Sequence, residues 1–275
     1  MRLKQLMVAG LMFAGSGIAL ADPLVTEWDF QTTTGFEDDG AWSCDGDVAG
    51  SNSCSLAFSD LNGNGTYNTL SWGTESNPED AQSYLEITNI LGTLTTNGGW
   101  EDINYFDHYN HVITAAGGSL GFVNILGLFQ ILDPLGVLPD FGTPNGVSFF
   151  ETFNTQDCPT PNPNGTYCDD IFTTGGLSGS FNFMVAGDGG MYTLSFQFFA
   201  GPGTTIVDNG DGTFTIYTTE ACSADGIAGC QPGEPYAAGF SRLITQAQIT
   251  YVAEPAYIAL LGFGLLGLFL RRKRF

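Results

Sequence analysis

Between residues 22 and 252 the apolar positions fall in short runs, and no stretch sustains the 3.6-residue period of an amphipathic helix. The runs are β-prone and are separated by Gly, Asn, Asp and Pro. Residues 67–72, 84–87 and 91–96 are the early predicted strands. Residues 119–132 form a longer, nearly continuous apolar run closed by Asp133-Pro134, and a strand over 147–153 follows a loop at 139–146. Phe181, Phe183 and Val185 alternate with polar or flexible neighbours, and 193–199 repeats the alternation. Residues 206–208 and 213–217 flank Asn209-Gly-Asp-Gly212, which reads as a hairpin turn. Residues 239–252 form a final strand pair or one long strand. Residues 32–55, rich in Gly and acidic side chains, read as a peripheral loop. Many short strands with regular turn signals predict an all-β fold: a single antiparallel β-sandwich, jelly-roll-like, or a barrel-like relative. No Pro/Ser-rich linker divides the segment, so 22–251 is one domain.

The two ends follow a different pattern. Arg2 and Lys4 precede an apolar run over 6–20, and Ala19-Leu20-Ala21 is a small-x-small cleavage site. Residues 1–21 therefore read as a signal peptide, with a mature chain beginning at Asp22. At the other end, 252–275 contains Glu254-Pro255, an uncharged apolar helix over 256–270, and the cations Arg271, Arg272, Lys273 and Arg274. Such a run stops in a membrane with its basic end on the cytoplasmic side. It is shorter than the ~17–25 residues of a comfortable transmembrane helix, which suits a processing signal better than a permanent anchor. An ordinary C-terminal anchor is the other reading.

The tail resembles the PEP-CTERM sorting signal of Gram-negative, exopolysaccharide-producing bacteria. Glu254-Pro255 match the last two residues of its Pro-Glu-Pro element, and Ala253 stands where the first Pro would be. The resemblance implies export through the secretion translocon, at least transient residence in the inner membrane, and processing by an exosortase-type enzyme. Its destination would be the cell surface or extracellular matrix.

Charge narrows the partners. All 29 acidic residues lie between Asp22 and Glu254, where Arg242 is the one Lys or Arg, giving that stretch a formal charge of −28. Nucleic acid is excluded as a partner, because phosphate binding needs clustered Lys and Arg. Cations or a hydrated polysaccharide fit such a surface. Disorder is excluded too, since 22 Phe, 10 Tyr and 4 Trp supply a core. The cysteines form three close pairs, Cys44/Cys54, Cys158/Cys168 and Cys222/Cys230, each closing a small loop. Outside the cytoplasm these read as disulfides. Zinc is the competing reading, but no pair has ligand spacing and histidine is scarce.

A second resemblance lies in the middle of the chain. Ser71-Trp-Gly73, Gln82-Ser-Tyr-Leu85 and Asp107-His-Tyr-Asn110 are similar to motifs of the THxN subgroup of PEP-CTERM proteins. So are Phe150-Glu-Thr-Phe-Asn154, Cys168-Asp-Asp-Ile-Phe172 and Gly229-Cys230. Asp107 stands where that subgroup has Thr, and Gly239-Phe-Ser-Arg242 where it has Gly-Phe-x-Thr. The resemblance implies association with exopolysaccharide or biofilm and no particular reaction.

Candidate chemistry is sparse. His108 and His111 are the only histidines, and with Asp107 they could serve as metal ligands or a base. The alternative is a structural His108 in a turn with Asn110. On a strand the two rings would face opposite sides. Asp60, Asn62 and Asn64 carry the first, third and fifth oxygens of a calcium loop, but Ser71 replaces its closing Glu. Asp208 and Asp211 make a second Asp/Gly turn. Weak calcium binding and self-sufficient turns are both open at these two places. Glu151, Asp169 and Asp170 could pair as glycosidase carboxylates. No nucleophile elbow, phosphate loop or HExxH motif is present. The sequence thus predicts a non-enzymatic exported surface or matrix protein without a tightly held cofactor. A calcium-assisted carbohydrate-binding module, with Trp28, Trp42, Trp72 and Trp100 as sugar platforms, is the alternative.

Overall fold

The computed structural model describes residues 23–40, 42–45, 56–60, 63, 66–74, 82–111, 118–134, 141–150, 152, 161–164, 169–176, 178–219 and 239–253, with the backbone alone at 45 and 141–145. The two terminal segments, Cys54, Cys158, Cys168, Cys222, Cys230, Asn62, Asn64 and Glu151 lie outside the described residues.

The described chain is all-β, in two antiparallel sheets facing each other. The first sheet runs in the order β14 (Thr204–Asp208), β15 (Thr213–Thr218), β11 (Asp170–Gly175), β10 (Phe141–Phe150), β9 (Ser119–Asp133), β1 (Glu27–Thr32) and β7 (Leu91–Thr95). Two short strands, β2 (Gly35–Phe36) and β3 (Ser43–Asp45), also pair with β9. The second sheet runs β12 (Ser178–Phe183), β13 (Gly190–Ala200), β16 (Gly239–Ala253), β8 (Glu101–Asn110), β6 (Ser83–Asn89), β5 (Thr69–Trp72) and β4 (Ala57–Ser59).

Period-2 patterning turns one face of each strand inward. In β1, Glu27, Asp29 and Gln31 look outward while Trp28, Phe30 and Thr32 are buried. In β6, Ser83, Leu85 and Ile87 are buried and Tyr84, Glu86 and Thr88 are not. The inward faces meet in two clusters. One gathers Trp28, Phe30, Phe129, Tyr192, Leu194 and Ile249, and the other Leu70, Trp72, Leu85, Val123, Phe149 and Phe172. Trp28 meets Tyr192 edge-on at 5.0 Å, and its Nε1 donates to Thr96 Oγ1 at 2.8 Å, so the indole is both packed and satisfied.

Two sequence expectations change, and a third, left between a strand pair and one long strand, resolves to the long strand. The segment at 32–55 is no peripheral loop over its described part, because β2 and β3 pair on β9 and Phe36 is buried. Cys44 is disulfide-bonded. The loop expected at 139–146 is strand from Phe141 onward, paired residue by residue with β9. Among the described residues, β11 flanks β10 only from Val147 to Phe150, so Pro144, which lacks an N–H, pairs there with β9 alone. The final segment is one strand, β16, bonded to β13 on one side and β8 on the other. The hairpin at 209–212 stands as predicted, with Gly210 and Gly212 at φ of 77° and 89°.

Candidate functional site

The candidate surface is built on β8, the central strand of the second sheet, between β6 and β16. Its sequence, EDINYFDHYN, carries aromatic side chains on the outward face and mostly polar ones on the inward face. Tyr105, Asp107 and Tyr109 alternate with Asn104, Phe106, His108 and Asn110. A register shift opposite Thr245/Gln246 marks a bulge, and both Ile103 and Asn104 are buried there.

Outward, three rungs cross the sheet. Tyr84, Tyr109 and Phe240 are cross-strand partners, followed by Glu86, Asp107 and Arg242, then Thr88, Tyr105 and Ile244. The Tyr84 and Tyr109 rings stack at 4.4 Å and 13°, and Phe240 tilts against Tyr109 at 5.3 Å. His111 extends the row, its ring parallel to Tyr84 at 6.2 Å. Arg242 forks onto Asp107 through Nε to Oδ1 and Nη2 to Oδ2, both 2.7 Å, and lies 4.4 Å over the Tyr105 ring. Side-chain exposure is 32% for the arginine and 4% for its carboxylate, so the arginine is the water-facing cap of a buried charge. That hydrogen bond to Asp107 holds the guanidinium above its usual pKa against the cost of burial. Burial, then the neighbouring Tyr109, Glu86 and Asp107, push the Tyr84 phenol up to about 12. Beside the aromatic rungs runs a polar row: Gln197 Nε2 donates to Gln246 Oε1, Gln246 Nε2 to Asp102 Oδ1, and the Tyr105 hydroxyl to Asp102 Oδ2.

Inward, the motif is structural. His108 is 2% exposed, stacks parallel to Trp72 at 5.6 Å, and meets the edges of Phe149 and Phe172. Its Nδ1 hydrogen-bonds Thr218 Oγ1 at 2.9 Å, reaching across to the first sheet. Burial, and to a smaller extent the charge of His111, lower its pKa to about 3, so the ring is neutral. Asn110 donates to Asp170 Oδ2, whose Oδ1 accepts from the Thr152 N–H at 2.9 Å. Ser83 Oγ donates to the His111 carbonyl and accepts the His111 N–H. The motif is therefore strand and not turn, and it ties the sheets together.

The other sequence candidates separate. His108 points inward and His111 stacks with the outward Tyr84, so the two rings do not converge. Asp169 and Asp170 are fully buried, and Asp169 Oδ2 accepts the Asn164 N–H, so neither faces a sugar cleft. Trp28 and Trp72 are 0% exposed and cannot be platforms, whereas Trp42 and Trp100 are half-buried and exposed. Large aromatics at β-alternating positions filled the core first. Asp208 Oδ1 accepts the Gly210 N–H, and Asp211 Oδ1 accepts the N–H and hydroxyl of Thr213. The Asp60 backbone carbonyl accepts the Gly63 N–H. Among the described residues no group of three His, Cys, Asp or Glu converges for a metal. Because the Asp208 and Asp211 carboxylates are taken up by their own turn, the hairpin is expected to give no saturable calcium heat below about 1 mM, the weak end of extracellular sites. Micromolar binding lost in Asp211→Asn would show that the hairpin is a calcium site.

Sequence reasoning missed the tyrosine face. The signal was there in the spacing of Tyr105 and Tyr109 at two-residue multiples within a strand-compatible stretch. No family model matches this chain, and no curated protein matches it.

Proposed function

We propose that this chain is an exported surface or matrix protein, sorted by its C-terminal PEP-CTERM-like tail, that holds extracellular polysaccharide on the outer face of its second sheet. The observation carrying this reading is the aromatic ladder Tyr84–Tyr109–Phe240 set beside the polar row Gln197–Gln246–Asp102. Sugar rings present faces of C–H groups that lie against aromatic rings, and hydroxyl rims that hydrogen-bond amides and carboxylates. Tyr and Phe therefore replace the tryptophans expected from sequence. A sandwich in the jelly-roll manner supplies the rigid support.

Charge selects among glycans. With a formal charge of −28 between Asp22 and Glu254, the surface repels uronate-rich or sulfated chains and favours neutral or positively charged ones. The basic tail at 271–274, the apolar run at 256–270 and Glu254-Pro255 support transit through the inner membrane and recognition by an exosortase-type enzyme. No residue set in the site argues for a reaction, and the reading is of a binding protein.

Two measurements test the reading. A glycan array probed with the full chain is expected to retain neutral or amino-sugar polymers and to release acidic ones; an array with no retained glycan defeats the binding half. Mass spectrometry of the mature C-terminus is expected to find the chain ending before the basic cluster. An intact Phe275 would make the tail an anchor.

A further inference from the structure

The two core clusters do not fill the space between the sheets. Between them lie two adjoining chambers that share Phe106, Ile125 and Phe198 as walls. The inner chamber, about 90 Å³, is lined by apolar side chains such as Leu85, Val147, Phe172, Ile216 and Leu243. The outer one, about 430 Å³, has exposed residues Ser178, Gly179, Ser180 and Phe181 in its wall, which places its mouth at the surface.

The inner chamber also holds polar atoms without partners. His108 and Thr204 both line it, and His108 Nε2 and Thr204 Oγ1 are each buried with no hydrogen bond. The histidine is 2% exposed and the threonine 8%. They are neighbours: Thr204 is the cross-strand partner of Thr218, whose hydroxyl holds the other ring nitrogen of His108. Thr204 is fixed there by Gly203, at φ +67°, where a Cβ would come within 2.3 Å of the Phe240 carbonyl oxygen. Orphaned buried polar atoms are rare, because each forfeits the hydrogen bonds it had in water. Two such atoms, on residues linked through Thr218 and lining one mostly apolar chamber that Thr174, Thr218 and Ser241 also border, make a recognition point for one small polar group.

We infer that the space between the sheets is a binding site for a small amphiphile, whose single hydroxyl sits on His108 Nε2 and Thr204 Oγ1 and whose apolar chain runs past Phe106, Ile125 and Phe198 toward the outer chamber. A hydroxyl suits the site because it donates and accepts, and so serves either tautomer of the ring. The neutral ring adds no charge to repel an apolar guest. The chamber's apolar walls reward each added methylene of the guest, while an acidic head group would meet no cation there. This site is on the opposite face of the sheet from the aromatic ladder and is independent of glycan binding.

The test uses straight-chain 1-alkanols from hexanol to decanol with the full chain, read by calorimetry and by the ring ¹⁵N signals, of which two histidines give two sets. Affinity is expected to rise about fourfold per methylene, as burial of one CH₂ dictates. The His108 Nε2 signal should shift on saturation and that of His111 should not. Thr204→Val, which keeps the shape and removes the hydroxyl, is expected to weaken binding about tenfold. Val147→Phe, which fills the inner chamber, should abolish it, and thermal unfolding checks that each variant is folded. No saturable binding, binding unchanged in Thr204→Val, or a liganded structure with the inner chamber holding water only would each overturn the inference.

Discussion

Replacing Arg242 by Met is expected to destabilise the fold by about 3 kcal/mol, the usual cost of leaving one member of a buried pair behind. The loss exceeds that of an ordinary surface ion pair because Asp107 is 4% exposed and is held by two 2.7 Å hydrogen bonds from a single fork. No other Lys or Arg between residues 22 and 254 can take its place. Arg242→Lys should recover only part of the loss, since an ammonium cannot make the bidentate bond or spread across Tyr105 and Phe240. The double replacement Arg242→Met with Asp107→Leu should recover most of it, because no charge is then left unpaired. Urea unfolding of the four proteins measures this. A loss below 0.5 kcal/mol in Arg242→Met would mean that Asp107 finds water or another donor.

His108 sets the second large effect, through acid. Its folded pKa, about 3, lies below the ordinary histidine value of 6.5 in the unfolded chain. The unfolded chain therefore takes up a proton first as pH falls. The neutral ring's contribution is complete above pH 6.5, drains away between pH 6.5 and about 3, and changes no further below that. The slope over this window is about 1.4 kcal/mol per pH unit, so roughly 3 kcal/mol is gone by pH 4.5. Carboxylates titrate in the same range, and the difference between the wild type and His108→Gln isolates the histidine. Denaturant unfolding from pH 7.5 to 4 should show the variant losing stability less steeply. Parallel curves would mean that His108 is protonated in the fold.

The strands that sequence revealed are those whose two faces differ in the ordinary sense. β13 and the β14–β15 hairpin alternate apolar with polar residues or carry a Gly-rich turn, and a two-residue period is enough to find them. β8 was hidden because its inward side chains are Asn104, Phe106, His108 and Asn110 and its outward ones are aromatic. The usual apolar-in, polar-out rule reverses along it. What makes that stable is partner satisfaction across the sandwich: Asn110 to Asp170, His108 to Thr218, Asn104 to Thr32. Those partners are 60 or more residues away in the chain, beyond the reach of any local pattern. β1 was different, since its Glu-Trp-Asp-Phe-Gln-Thr alternation is plain once noticed.

The candidate site divides the same way. The peculiarity of Asp107-His-Tyr-Asn110 was visible as a motif, but its meaning depends on strand geometry that sends alternate residues to opposite faces. Asp107 and Tyr109 belong to the outer face, and His108 and Asn110 to the interior. One tetrapeptide thus anchors both the aromatic ladder and the inner chamber. The tryptophans misled because size alone does not say whether a ring is platform or core, and Trp28 and Trp72 are core.

The most direct test of the central claim is a titration of the polysaccharide retained on the array against the wild type and Tyr109→Ala. Tyr109 is the middle ring of the ladder, touching both Tyr84 and Phe240. Removing a central aromatic anchor from a binding face typically costs more than 1 kcal/mol, so affinity should fall about tenfold, with Trp100→Ala unchanged as the control. Equal affinity in the wild type and a folded Tyr109→Ala would contradict the account.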